Sequence, residues 1–458
     1  MWLGATTLAA ALAAQPAAEP LVGRLVEGLR CESDPSQTYT LYLPKAYATG
    51  RRWPLLLVFD PRGRSRLAAE LFREAAEAYG WILVSSNDTR SDGPMEPNLK
   101  ALQALWPEAH LRYASDPRRI YAAGFSGGGM LAWELGRRTS GLAGVVASGA
   151  RFEDAQFRQR LAFPSFGAAG DTDFNYAPMR AVHARLREWG TPERLVVFEG
   201  SHEWMPAEVA GEAIAGLELS AMTGGLRPRD DAFAAARLAE DLARGRALEA
   251  QGRVLEAQRR YEGAVAAFDG LADVAEARRG AERVAALPAT KAARRDEERW
   301  DKYEELMRRR LEEAFASLVA SEPSPLAAFR AAVRLDELVE RSQAAGYEGV
   351  VGRRLRQSLG VRAGFYMARE LLARKDHVRA LAALSVATEA TPERPLYWYN
   401  LGCVHARLGQ RRQALDALEQ AVARGFADRT GMAADEDLAS LRGDDRFERL
   451  VQPAAGPR

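Results

Sequence analysis

Residues Gly124-Phe125-Ser126-Gly127-Gly128 form a Gly-x-Ser-x-Gly pentapeptide. Its glycines let two backbone segments close tightly around a strained serine, so that the hydroxyl stands clear of the turn. The four residues before it, Ile120-Tyr121-Ala122-Ala123, are apolar and read as a short buried strand. Gly128 onward reads as a helix, which puts the Gly127 N–H at a helix N-terminus, where it can stabilise a developing oxyanion. This is the arrangement of a nucleophilic serine. Such a serine needs a base to take its proton and a carboxylate to orient that base.

The elements around the pentapeptide must supply both. From about Leu21 to Gly225 strand and helix patterns alternate. Tyr39–Leu43 has period two and ends at Pro44, while Leu55–Phe59 and Trp81–Ser85 are continuous apolar runs, as expected of strands buried on both faces. Helical spacing appears over 67–79, 99–113, 128–138 and 178–189, with further strands at 145–147, 164–168 and 194–198. The alternation predicts an α/β fold, a mostly parallel sheet covered by helices on both faces. In such sheets reactive residues collect at the carboxyl ends of strands.

The chain has five histidines. In serine hydrolases of this architecture the acid and then the base follow the serine. His110 precedes Ser126, His183 falls inside a helical pattern, and His377 and His405 lie in the helical C-terminal half. His202, in the loop Glu199-Gly200-Ser201-His202 after a late strand, is left as the base. The acid is expected in Gly170-Asp171-Thr172-Asp173, with Asp173 favoured and Asp171 the fallback. Asp173 lies 47 residues beyond Ser126 and 29 before His202, room for one strand–helix unit and then another.

Residues 20 to 225 resemble the α/β-hydrolase superfamily. They are most similar to compact esterases related to dienelactone hydrolases, feruloyl esterases and polyhydroxyalkanoate depolymerases. The resemblance rests on Tyr39–Pro44, on Asp116-Pro117-Arg118-Arg119-Ile120-Tyr121 leading into Gly-Phe-Ser-Gly-Gly, on Gly170–Asp173 and on Gly200-Ser201-His202. It implies hydrolysis of carboxylic esters through an acyl-serine, with no metal or organic cofactor. One departure concerns the oxyanion hole. Where the family usually carries a His-Gly loop, this chain has Phe59-Asp60-Pro61-Arg62-Gly63-Arg64. Pro61 has no N–H, so the second donor is expected from Arg62 or Gly63, or is absent. Arg62 and Arg64 either attract an acidic substrate or lie solvated on the surface. Between Gly149 and Pro164 there is room for one short lid helix and no cap domain.

After the polar linker Leu226–Asp231 strand signals vanish. The rest is rich in Ala, Leu, Glu and Arg. Ala380, Leu384, Ala387 and Pro392 are matched 34 residues later by Ala414, Leu418, Ala421 and Phe426, and Trp398, Leu401 and Gly402 fall where a tetratricopeptide repeat places Trp, Leu and Gly. Segments 361–394 and 395–428 therefore resemble two such repeats, with a looser unit near 239–272. Repeats of this kind commonly bind peptides or partner proteins. A longer charged helix is expected over 296–319, its charges forming a solvated face.

The 458 residues predict two or three domains, taken as 17–225 and 226–458 after a leader. The 63 basic and 62 acidic residues nearly balance, which argues against a dedicated nucleic-acid binder. Cys31 and Cys403 are far apart and show no metal-binding spacing. Residues 1–16 are Ala/Leu-rich with an Ala11-Leu12-Ala13 cleavage pattern, so a signal peptide and export are expected; the run is too short to span a bilayer. Two rival readings stay open: a catalytically inactive hydrolase-fold scaffold, and the same triad acting on peptides or thioesters.

Overall fold

The structure is a computed structural model that describes residues 21–91, 93–152, 159–320 and 326–452. The leader expected at 1–16 lies outside these residues, as does 153–158 within the expected lid segment. Among the described residues no helix is long and apolar enough to cross a membrane.

Eight strands form one sheet: β1 (Leu25–Arg30), β2 (Thr38–Tyr42), β3 (Trp53–Phe59), β4 (Ile82–Ser86), β5 (Ser115–Phe125), β6 (Leu142–Ser148), β7 (Ser165–Gly170) and β8 (Glu193–Phe198). Their order is β1-β2-β4-β3-β5-β6-β7-β8. β1 and β2 pair antiparallel, as do β2 and β4, whereas β4, β3, β5, β6 and β7 run parallel. The parallel strands are almost wholly apolar because both their faces are covered. Strand order reverses between β3 and β5, the switch point where open α/β sheets bind ligands.

The connecting helices are α1 (Ser65–Tyr79), α2 (Glu96–Leu111), α3 (Gly127–Arg138), α4 (Tyr176–Glu188) and α5 (Ala207–Thr223). Leu55, Leu57, Val84 and Val145 share a core with Leu105 of α2, Leu131 of α3 and Leu186 of α4. The opposite face carries α1 and α5: Ser65 Oγ meets Thr40 Oγ1 at 2.6 Å, and Gly144 lies close under Leu217. This is the α/β-hydrolase fold, followed by a helical domain.

Those helices are α6 (Asp231–Ala250), α7 (Val254–Phe268), α8 (Ala275–Ala286), α9 (Pro288–Ala320), α10 (Leu326–Ala332), α11 (Leu335–Arg341) and α12 (Gly346–Val361). A π-helical turn at Arg362–Met367 then leads into α13 (Ala368–Ala373), α14 (His377–Ala390), α15 (Pro395–Arg407) and α16 (Arg411–Ala423), with α17 (Arg429–Ala434) and α18 (Asp445–Val451) at the end. Trp300, Met307, Leu311, Phe315 and Leu318 make a buried stripe on α9, packed with Val351, Leu355 and Leu359 of α12. Glu297 and Glu304 lie on the same stripe and are buried. The α9 charges are therefore not all solvated, because arginines partner these two carboxylates within the helical layer.

The chain divides into two compact units. One takes the described residues up to Ala168 with Val182–Val196 and Trp204–Arg229; the other takes Ala169–Ala181, Val197–Glu203 and the described residues from Asp230.

Glu218 of α5 is buried and accepts from Trp81 Nε1, Arg119 and Arg227, while the Trp81 ring stacks on Tyr121 at 4.5 Å. Removing this carboxylate leaves a nearly buried guanidinium unpaired. Glu218→Ala is expected to lower stability by roughly 3–5 kcal/mol, read as a shift in the urea unfolding midpoint.

Candidate active site

Ser126 follows β5 directly and caps α3. Its backbone has φ 50° and ψ −122°, a region that non-glycine residues rarely enter. Packing enforces it. A Cβ on Gly124 would lie 2.1 Å from the Gly128 carbonyl oxygen, and one on Gly128 would lie 2.0 Å from that of Phe59. Only glycine allows α3 to start so close to the ends of β3 and β5. The Ser126 N–H bonds to the Ser148 carbonyl at 2.9 Å. Gly127 opens α3, and the first N–H groups of a helix have no partner within it.

β7 ends at Gly170 and β8 at Phe198, and the loops beyond them are stitched together. Asp171 N–H bonds to the Phe198 carbonyl (2.8 Å), Thr172 N–H to the Gly200 carbonyl (3.0 Å), and Asp171 Oδ1 accepts from Gly200 N–H (3.1 Å). Asp171, the fallback acid, thus joins backbone to backbone. Asp173 is fully buried, and His202 Nδ1 lies 2.9 Å and 3.0 Å from its two carboxylate oxygens. An ionised carboxylate only accepts, so in that pairing Nδ1 is the donor. Asn175 N–H also donates to Asp173 Oδ1 at 2.7 Å, and the Phe174 ring lies 4.2 Å from the imidazole. The other histidines do different work. His183, for example, is buried against Glu193 at 2.7 Å.

The loop after β3 departs from expectation. Arg62 N–H donates to Asp60 Oδ1 at 2.8 Å, and Gly63 N–H to the Asp60 carbonyl at 3.1 Å. Both N–H groups expected to complete the oxyanion hole are already bonded inside the turn, that of Arg62 to the buried Asp60 carboxylate and that of Gly63 to the Asp60 backbone carbonyl. Arg64 is held there too, through Nε (3.0 Å) and a terminal nitrogen (2.9 Å). Trp204 Nε1 donates to the other carboxylate oxygen at 2.9 Å. Burial pushes the Asp60 carboxyl up, but the bonds from Arg64, Trp204 and the loop N–H groups outweigh it and hold the group below its ordinary 3.8.

Trp204 carries no motif of its own in the sequence. It stands two residues beyond His202, its ring 5.7 Å from that of Phe125, and the next N–H, of Met205, bonds to Ser148 Oγ at 3.2 Å. A polar-tipped aromatic two residues beyond His202 is the visible signal, but its partner lies 144 residues away. Among the described residues no group of three or more His, Cys, Asp or Glu side chains is placed to hold a metal ion. Cys31 and Cys403 are buried and free.

No family model matches the chain, and no curated protein matches it. Solved structures do. A ferulic acid esterase aligns at 19% identity over 42% of this chain and 94% of its own, with a TM-score of 0.33. A Pyrobaculum calidifontis esterase aligns at 14% identity over 45% and 86%, TM-score 0.35. Est1E from Butyrivibrio proteoclasticus aligns at 14% identity over 43% and 99%, TM-score 0.34.

Asp60→Asn tests the loop. A carboxyl held below its ordinary value adds stability that is present above 3.8 and is lost as pH falls through the depressed value. The variant is expected to be less stable than wild type at pH 7 by about 1–3 kcal/mol. The gap should close on acidification below 3.8, as followed by unfolding midpoints across pH.

Proposed function

We propose that this chain is a serine hydrolase that cleaves carboxylic esters through an acyl-serine, with Ser126 as nucleophile, His202 as base and Asp173 as the acid that orients it. The observation that carries the reading is the bond from His202 Nδ1 to both oxygens of a fully buried Asp173, on a chain whose strained serine follows β5. Strand order supports it, since β5, β6, β7 and β8 are successive neighbours. So does the anchoring just beyond the base. Trp204 packs on Phe125, and Met205 is tied to Ser148, the residue whose carbonyl takes the Ser126 N–H.

Asp173 holds His202 with Nδ1 protonated, and Nε2 accepts the Ser126 proton as Oγ attacks the ester carbonyl. The tetrahedral oxyanion is met by the Gly127 N–H at the start of α3. His202 then returns the proton to the departing alkoxide, and water reverses the sequence to release the acid. Acyl transfer does not fix the leaving group, so thioesters and peptides are competing substrates for the same triad. The inactive-scaffold reading also has an observation in its favour, the engaged N–H groups of Arg62 and Gly63. A missing donor typically lowers turnover about 100- to 1000-fold. The proposal includes export by the N-terminal leader. It also includes a tetratricopeptide-like surface on α13–α16 for a protein or peptide partner, supported by the 34-residue spacing and the close seat of Leu418 over Gly402.

A fluorophosphonate probe is expected to label the wild-type chain and not Ser126→Ala. Asp173→Asn should lower kcat on p-nitrophenyl esters about 10,000-fold. A folded wild-type chain that takes no label and leaves aryl esters, thioesters and peptides intact would instead favour the scaffold. Equal labelling of Ser126→Ala would remove Ser126 from its role.

A further inference from the structure

Glu304 on α9 and Arg354 on α12 are almost completely buried, at 2% and 1% side-chain exposure. Glu304 Oε2 accepts from an Arg354 terminal nitrogen at 2.6 Å, and its Oε1 accepts from Arg308 Nε and a terminal nitrogen at 3.1 Å and 2.8 Å. Each arginine then reaches the acid loop. Arg354 Nε donates to the Asp171 carbonyl at 2.7 Å, and Arg308 donates to the Phe174 carbonyl at 2.8 Å. Asp173 lies between these two carbonyls in the chain, and the Phe174 ring packs on His202. The Tyr176 ring, where α4 begins, stands 3.9 Å from the Arg354 guanidinium.

A buried ion pair gives little net stability, because desolvation offsets the attraction; apolar residues of similar volume usually serve as well. The pair needs another reason to be here, and its remaining donors supply one. One shared carboxylate fixes two planar guanidinium groups, and each grips a carbonyl on either side of the acid.

We propose that Arg354 and Arg308, held by Glu304, are positioning residues that set Asp173 and His202 in register, which makes the helical domain part of the catalytic apparatus. This rests on the reading of Asp173 and His202 given above. The arginines touch neither substrate nor reacting atoms. They act through the carbonyls of Asp171 and Phe174, and a misplacement of about 1 Å at a catalytic group can lower turnover about 100-fold.

The test uses the full chain with p-nitrophenyl esters and the fluorophosphonate probe. Arg308→Ala removes one grip at a partly exposed site, and Glu304→Leu/Arg354→Met removes the other together with the carboxylate that fixes Arg308, leaving only that partly exposed guanidinium without its partner. Both are expected to keep the wild-type circular dichroism and a cooperative unfolding transition. Both should lower kcat and the labelling rate, about 100-fold for the double replacement, with KM within about threefold. In an Asp173→Asn background the same replacements should slow labelling no further, because no acid is left to aim. Equal losses in both backgrounds would reduce the arginines to a structural role and overturn the proposal. So would Ser126-dependent labelling that the replacements leave unchanged, although the hydrolase reading would then stand. A wild-type chain that takes no label would overturn both.

Discussion

The backbone of Ser126 is held where a side chain normally forbids it, and much of the nearby architecture follows from that constraint. A residue in such a conformation costs of order 1–3 kcal/mol and persists only where its surroundings over-determine it. Here they do, because Gly124 and Gly128 allow α3 to start against the carbonyl of Phe59. Phe59 is the last residue of β3, so the strained turn and the start of the Asp60 loop are locked to the same strand ends. Asp60 in turn holds Trp204, two residues from His202. The chain of contacts runs from a glycine without a side chain to the loop that carries an imidazole.

Much of the α/β half was legible because its signals are local. Leu55–Phe59 and Ile82–Ser86 are apolar runs that only a doubly covered strand accommodates, and the glycines around Ser126 admit few readings. β1 was not legible. Its Gly28 has φ 69° beside a register shift between Val26 and Leu29, and the irregularity breaks the alternation that marks a strand. The loop after β3 was legible in part. That Pro61 has no N–H follows from residue type alone. Nothing local announced that Asp60 would gather the neighbouring N–H groups, since that depends on burying a carboxylate against a tryptophan 144 residues away.

The helical half hid more. Its 34-residue spacing is a local signal, but the burial of charge is not. On α9 a solvated face and a buried network look alike in sequence, because Glu and Arg dominate both. Glu297 and Glu304 fall at helical spacing with Trp300, Met307 and Leu311, so the position was visible while the partner was not. Arg259 and Arg354 come from α7 and α12, and only packing brings them to those carboxylates.

The second compact unit gathers 169–181 and 197–203 with the helices that follow residue 230. Linear modularity is therefore misleading for this polypeptide. A gene cut after Arg229 would still encode the serine, the imidazole and both candidate acids. It would leave the carbonyls of Asp171 and Phe174 to water. Such a fragment would arrive without the guanidinium groups that the carbonyls of Asp171 and Phe174 meet in the full chain.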